Sequence, residues 1–233
     1  GKLYLKQGSP QKVELEGSQD ILNEIDTEVE GGKLVIGREG RWFDWNNWTD
    51  NDKITVYITM PNIEALSVSG SGDLIGQGKI TADNLDLNVS GSGSLQLDVD
   101  ATGDVEADVS GSGDIDLKGK CRSFDSDVSG SGEVELTINI TETADFGVSG
   151  SGKISATGSA QSVKTSISGS GKVLAADLET NECIVRISGS GDVEINVKNE
   201  LDATISGSGS VSYKGNPRKV NSHASGSGKV RKM

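Results

Sequence analysis

The sequence predicts an all-β fold, a single-stranded parallel β-helix (solenoid) in which the chain coils into stacked turns of 18–21 residues. Two observations predict it: a Ser-Gly-Ser-Gly motif that recurs nine times at this spacing, and strict alternation of apolar and polar residues between the motifs. A fixed period in this range is typical of solenoids, in which each repeat buries its apolar face against its neighbours. The nine motifs begin at Ser69, Ser90, Ser110, Ser129, Ser149, Ser168, Ser188, Ser206 and Ser225.

Apolar residues recur at odd offsets from the first serine of each motif. The residue before the motif is Val or Ile in eight repeats, and the residue five positions after the first serine is Leu, Ile or Val in all nine. Even offsets are mostly polar, and this period of two predicts strands with one buried face. Because all motifs share one phase, like residues would form columns. Parallel stacking explains this better than an antiparallel barrel or sandwich, which would need hairpin turns about every 8 to 12 residues.

The motif keeps the same parity, so we expect its glycines to point inward and its serines outward. Glycine is favoured where a strand bends or where backbones approach closely. The repeats vary in length on the opposite side of the turn, as at 81–84 in the longest repeat. The pattern predicts a flattened coil with one Gly-rich corner, and nine motifs would span roughly 38 Å at the usual strand spacing.

The first part of the chain, 1–66, lacks the motif but still alternates apolar and polar residues. The end of a solenoid is an exposed edge that has to be covered. We therefore expect a single domain over 1–233, with irregular N-terminal strands or a cap in 1–66 and the nine repeats in 67–233.

The net charge of −13 and the isoelectric point of about 4.5 disfavour binding to nucleic acid, whose phosphates an acidic surface repels. No apolar run approaches the roughly 18 residues of a membrane-spanning helix. The chain begins at Gly1 without a basic and apolar leader. We interpret it as an exported chain whose signal segment has been removed.

The sequence predicts no catalytic residue, cofactor or metal site. The segment 147–153 resembles a phosphate-binding loop, but Ile154 stands where that motif requires Ser or Thr. The position after each motif alternates among Asp, Glu, Ser and Lys, and a calcium ladder would not tolerate the lysines. The only histidine, His223, lies at an outward offset, and nothing distinguishes one motif serine from another.

The two cysteines, Cys121 and Cys183, both fall at inward positions about three turns apart. That separation is roughly 14 Å at the usual strand spacing, beyond the reach of a disulfide. We expect two free, buried and poorly reactive thiols.

One irregular segment, 41–52, contains all three tryptophans. Aromatic rings interleaved with Asn and Asp suit stacking on a sugar or contact with a protein. The other interpretation, which we favour, is that these rings cap the first coil or pack in a long hairpin. The candidate ligand or partner contacts are Trp42, Phe43, Asp44, Trp45, Asn46, Asn47 and Trp48.

Three parts of the chain together resemble the auto-transporter adhesin family known as the head GIN domain, found in bacterial exported proteins. They are 5–15 followed by 28–34, then 54–63 running into the first motif, and 213–217 leading to the last motif. The resemblance implies a β-helical domain at the cell surface or in the periplasm, with a role in adhesion. It carries over no catalytic residues.

The leading hypothesis is a non-enzymatic, exported adhesin-like or scaffold domain that contacts an unknown protein or glycan at the cell surface. The alternative is a carbohydrate-binding module that uses the tryptophan-rich segment. Sugar binding that is lost in Trp45→Ala would favour the alternative.

Overall fold

The computed structural model describes residues 1–38 and 54–233, and these residues form twenty strands and one four-residue helix. The N-terminal elements are β1 (Lys2–Gln7), β2 (Lys12–Glu16), α1 (Gln19–Leu22), β3 (Ile25–Glu30), β4 (Lys33–Arg38) and β5 (Thr55–Met60). The repeats contribute β6 (Ala65–Gly70), β7 (Asp73–Ala82), β8 (Leu85–Gly91), β9 (Ser94–Ala101), β10 (Asp104–Gly111), β11 (Asp114–Cys121), β12 (Ser123–Gly130), β13 (Glu133–Ile140), β14 (Thr143–Gly150), β15 (Lys153–Gly169), β16 (Lys172–Gly189), β17 (Asp192–Gly207), β18 (Ser210–Lys214), β19 (Lys219–Gly226) and β20 (Lys229–Lys232).

The repeat strands form two parallel stacks, one on each side of the Ser-Gly-Ser-Gly corner. Strands that end at a motif form the first stack, from β6 and β8 through the C-terminal halves of β15, β16 and β17 to β19. Strands that begin after a motif form the second stack, which runs from β7 and β9 to β18 and β20. The parallel β-helix is therefore confirmed, and the antiparallel alternative is wrong.

Successive motifs are in register, so like residues form columns through the interior. Val134 lies between Ile115 and Ile154 in the second stack, and all three side chains are at most 1% exposed. The column just before the motif consists of Val68, Val89, Val109, Val128, Val148, Ile167, Ile187, Ile205 and Ala224. In the middle of the stack, inward side chains are covered by their equivalents in the turns above and below, as the alternation predicts.

The two glycines of the motif have different structural roles. At the first, Gly111 has a φ of +121°, in the left-handed region that favours glycine. The second, Gly113, is buried, and a Cβ there would lie 2.5 Å from Cγ1 of Val89. The motif serines Ser110 and Ser112 are exposed. The expectation of inward glycines therefore holds for the second glycine, whereas the first turns the chain at the corner.

The N-terminal strands extend the second stack by two rungs. β1 lies between β5 and β7 and is parallel to both, so that Leu3 is in register with Val56 and with Leu74. β2 pairs with the other edge of β5 in the antiparallel direction, and β3 and β4 form a separate hairpin. Leu5, only 1% exposed, joins β1 to the interior.

Candidate functional site

The candidate contact segment 42–48 lies outside the described residues, so its role as a contact site remains a prediction from sequence.

The two cysteines lie within the described residues. Cys121 and Cys183 are free and buried, as expected. Burial raises the pKa of both thiols to about 12, with a smaller contribution at Cys121 from the charge of Asp104. Thiols with so high a pKa carry almost no thiolate at neutral pH and are poor nucleophiles.

Most carboxylates of the column that follows the motif have a partner within the column. Lys153 pairs with Glu133 on the neighbouring rung, and Lys172 lies 3.7 Å from Asp192. The hydroxyl of Ser94 donates to Asp73 at 2.9 Å. Across the described residues, no group of three or more His, Cys, Asp or Glu side chains is arranged to hold a metal ion.

The outward face of the first stack carries an unneutralised group of carboxylates, which we call the carboxylate ladder. Four of its members occupy the position four residues before the motif on successive rungs, and two occupy the position two residues before it. Its members are Asp86 on β8, Glu106 and Asp108 on β10, Asp125 and Asp127 on β12, and Asp145 on β14. Within residues 1–38 and 54–233, none of the six has a cationic partner within 4 Å.

The register of the strands and a backbone hydrogen bond place the ladder carboxylates side by side. Asp86 is opposite Glu106, Glu106 is opposite Asp125, and Asp125 is opposite Asp145. The backbone N–H of Asp127 donates to the Asp108 carboxylate at 3.1 Å. Neighbouring rungs are about 4.8 Å apart, where two unit charges repel by about 1 kcal/mol even in water.

Burial and the charges of neighbouring carboxylates raise the pKa values of four members of the ladder. Partial burial, followed by the charges of Asp145 and Asp127, raises the pKa of Asp125 to about 6. The charge of Asp108 is the main cause of the raised pKa of Glu106, and desolvation is the main cause at Asp108. Desolvation also raises the pKa of Asp145, although Lys164 acts in the opposite direction. These four carboxylates therefore hold protons more tightly than isolated carboxylates do.

Two grooves border the ladder along the edge where the turns vary in length. One, of about 450 Å³, is lined by Asp86, Glu106, Asp125 and Asp145 of the ladder together with Asn84 and other residues. A second, of about 940 Å³, shares Asn84 and Asp86 and continues towards the N-terminal end. The ladder is thus the acidic wall of an elongated concave surface.

The sequence contains a signal for this surface in the spacing of its acidic residues. Aligning the repeats at the position four before the motif places Asp86, Glu106, Asp125 and Asp145 in one column, and stacking turns that column into a row of adjacent charges. The number of acidic residues alone does not show whether they lie in one row or are scattered over the surface.

Comparison with known proteins identifies relatives by sequence model and by fold. The family model described as "Putative auto-transporter adhesin, head GIN domain" matches residues 1–157 and 133–217. No curated protein sequence matches the chain. Among the described residues, no helix is long and apolar enough to cross a membrane.

Three crystal structures of Parabacteroides proteins share the fold over the whole of this chain and 88% of their own. One, from Parabacteroides distasonis, is titled a putative lipid binding protein and is 23% identical, with a TM-score of 0.73. A second from the same species, titled a putative adhesin, is 22% identical with a TM-score of 0.73. The third, a putative adhesin from Parabacteroides merdae, is 20% identical with a TM-score of 0.72. Neither the family description nor these titles refers to an enzyme.

Proposed function

Because the chain belongs to the auto-transporter adhesin head GIN domain family, we propose that it is a non-enzymatic, exported adhesin-like or scaffold module. Its task is to make contacts at the cell surface with a protein or glycan that carries positive charge. The observation that carries the proposal is the carboxylate ladder, six unpaired acidic side chains held at fixed spacing on rigid strands.

The physical argument is that a bound cation relieves the repulsion among the carboxylates of the ladder. Neighbouring carboxylates raise the pKa values of Glu106 and Asp125, so a cationic partner both gains attraction and removes a cost already present in the free protein. Because the parallel strands fix the spacing, little side-chain ordering is needed when the partner binds. A rigid row of charges can make many weak contacts at the same time, and such multivalent contacts bind a surface more strongly than any single contact does.

The test is the adhesion of protein-coated beads to amine-bearing and hydroxyl-bearing surfaces at physiological salt. In the ladder variant, Asp86→Asn, Glu106→Gln, Asp125→Asn and Asp145→Asn are combined. A matched control makes the same charge change on the second stack. The control substitutions are Asp98→Asn, Asp114→Asn, Asp116→Asn and Glu135→Gln.

We expect bead retention on amine surfaces to fall at least about tenfold in the ladder variant and less than about twofold in the control, since loss of several closely spaced contacts is multiplied across the bead. Equal losses would mean that net charge alone governs retention, and the proposal would fail. The same beads on bacterial and epithelial cells then show whether the surface recognised is biological.

The carbohydrate-binding alternative rests on the tryptophan-rich segment 42–48 alone. A glycan array tests it directly. Binding to a defined sugar by the native chain, lost in Trp45→Ala and kept in the ladder variant, would replace the present proposal.

A further inference from the structure

The groove of about 940 Å³ lies at the C-terminal ends of β1, β5, β7 and β9, and Asp86 is the only ladder residue that lines it. Its walls are the connection 61–64 between β5 and β6, the turn 81–84 of the longest repeat, and the next turn at Asp100 and Thr102. Ligand sites in proteins typically have volumes of about 300 to 1,000 Å³. We call this concave surface the edge groove.

The edge groove forms because the rung of β1 is not continued along this edge of the solenoid. β1 lies between β5 and β7, but it ends at Gln7, and the chain then crosses to β2 beyond β5. The Gln7 side chain bridges the two walls instead. Its Nε2 donates to the carbonyl oxygens of Pro61 at 3.1 Å and Thr81 at 2.8 Å, and its Oε1 accepts from the N–H of Thr81 at 2.7 Å.

Further hydrogen bonds join the walls into one rigid surface. The N–H of Asp86 donates to the carbonyl oxygen of Glu64 at 2.9 Å, and the N–H of Thr102 donates to that of Ala82 at 3.0 Å. The hydroxyl of Thr102 also donates to the carboxylate of Asp83 at 3.1 Å. A surface fixed in this way needs little ordering when a ligand binds.

Four polar side chains of the groove keep hydrogen-bonding groups free for a ligand. In the described parts of the chain, the side chains of Asn62 and Glu64 form no hydrogen bond or ion pair, and Asp86 has no cationic partner within 4 Å. Asn84 uses its Oδ1, which accepts from the N–H of Asp104 at 2.8 Å. The amides of Asn62 and Asn84 therefore present N–H donors, and the carboxylates of Glu64 and Asp86 present acceptors.

This combination of donors and acceptors selects the class of ligand. No Lys, Arg or His residue lines the groove among those that the structure describes, so anions are repelled. Its apolar residues are Pro61, Ile63 and Ala82, and Ile63 is only 3% exposed, too little for a lipid chain. A simple cation would use the carboxylates and leave the amide donors unmatched. A sugar hydroxyl both donates and accepts, so neighbouring hydroxyls match both groups.

We propose that the edge groove binds a neutral oligosaccharide, whose hydroxyls donate to Glu64 and Asp86 and accept from the amides of Asn62 and Asn84. This inference goes beyond the proposed function, because the ligand carries no positive charge and does not need the ladder residues on β10, β12 and β14. The site is also separate from the tryptophan-rich segment 42–48.

Saturation-transfer NMR and calorimetry with cellohexaose, maltohexaose and N-acetylchitohexaose provide the first test. We expect the whole chain to bind at least one of these hexasaccharides with a Kd of about 1 mM or lower, since contacts at an open surface give modest affinity. High salt should not weaken the binding, because a neutral ligand forms no screened charge pair.

The decisive variant combines Asn62→Asp with Asn84→Asp. It keeps the size of both side chains and the acceptor oxygen of Asn84, but it removes the N–H donors. Each lost hydrogen bond should weaken hexasaccharide binding about fivefold, so the two together about 25-fold. Spermine should bind this variant more tightly than the native chain, since two negative charges are added. Asn139→Asp combined with Asn221→Asp makes the same exchange at exposed positions outside the groove and should change binding less than about twofold.

Two further variants separate this site from the other surfaces. Glu106→Gln, Asp125→Asn and Asp145→Asn combined should lose retention on amine surfaces and keep hexasaccharide binding. Trp45→Ala should keep it as well. If the ladder proposal fails on amine surfaces, the hexasaccharide result still stands or falls by itself.

Four results would overturn the proposal. They are no binding to any of the three hexasaccharides at millimolar concentration, equal weakening in the groove and control variants, tighter hexasaccharide binding in the groove variant, and loss of binding in Trp45→Ala. Spermine binding without hexasaccharide binding would assign the groove to a cationic ligand instead. Circular dichroism spectra that match the native protein show that the variants remain folded.

Discussion

The outward faces of the two stacks have the same spacing between rungs, yet they carry charge in different ways. On the second stack, several outward carboxylates have a lysine within 4 Å, and Lys120 lies 3.2 Å from Asp100. On the first stack, acidic residues repeat on four successive rungs without a cation within 4 Å in the described part of the chain. Stacking brings the same outward position of successive rungs together, so a lysine on one rung can neutralise a carboxylate on the next, whereas repeated acidic residues concentrate negative charge.

The inward positions leave no such freedom. Inward side chains pack against their equivalents on neighbouring rungs, so most of them are apolar, and the few buried polar ones, such as Ser126 and Thr165, are small. The outward positions touch only solvent and their neighbours. The solenoid therefore has an interior whose residues are constrained by packing and an outer surface whose residues can differ from one rung to the next.

The largest expected effect tests that separation. Val134→Asp would bury a carboxylate between Ile115 and Ile154, and desolvating it without a partner costs several kcal/mol. Glu135→Lys, one residue along and exposed, should change the free energy of unfolding by less than about 0.5 kcal/mol. Urea denaturation of both variants provides the measurement. Equal destabilisation would show that inside and outside are wrongly assigned.

A smaller effect is expected at the glycine corner, which joins the two faces. Gly113→Ala would place a methyl group 2.5 Å from both Cγ1 of Val89 and the carbonyl oxygen of Gly93. Relieving that overlap in a packed stack should cost about 2 kcal/mol. Ser112→Ala, at the exposed neighbouring position, is the control and should be nearly neutral. An unchanged melting temperature for Gly113→Ala would mean that the corner tolerates displacement of the rungs.

The ladder should make stability depend on pH in a direction opposite to that of an ion-paired carboxylate. Asp125 has a pKa of about 6 in the folded protein and about 3.9 when unfolded, so between these values the folded state binds more protons. Stability therefore falls as pH rises through this window and is greater at pH 5 than at pH 7. Because the side chain is exposed and screened by solvent, we expect a difference of about 1 kcal/mol.

Chemical denaturation at the two pH values measures this difference. Asp125→Asn should remove most of it, since the amide does not titrate. The raised pKa values of Glu106, Asp108 and Asp145 act in the same direction and should leave a remainder. A native protein that is less stable at pH 5 than at pH 7 would contradict the assignment of a repulsive ladder.

The sequence predicted the interior far better than the surface. The inward columns through Val134 and Cys183 followed from a period of two and a fixed phase, because burial on both sides leaves a strong and repeated signal. The place of β1 between β5 and β7 was not predicted. The alternation at Leu3 and Leu5 shows which face of β1 is buried, but it does not show which strand edge β1 pairs with. Several edges of the solenoid would accept the same pattern.

The smallest expected effect belongs to an ion pair on the second stack. Lys120→Gln removes the ion pair with Asp100, whose side chains are 62% and 28% exposed respectively. Exposed pairs of this kind contribute about 0.2 to 1 kcal/mol, and the glutamine keeps most of the packing of the aliphatic stem. We expect a loss below about 0.5 kcal/mol, which high salt should remove. Measured beside Asp125→Asn at pH 7, which should stabilise the protein by removing a repelled charge, the two substitutions should have opposite signs. Loss of stability in both variants would show that the carboxylate of Asp125 stabilises the first stack, contrary to the repulsion proposed for it.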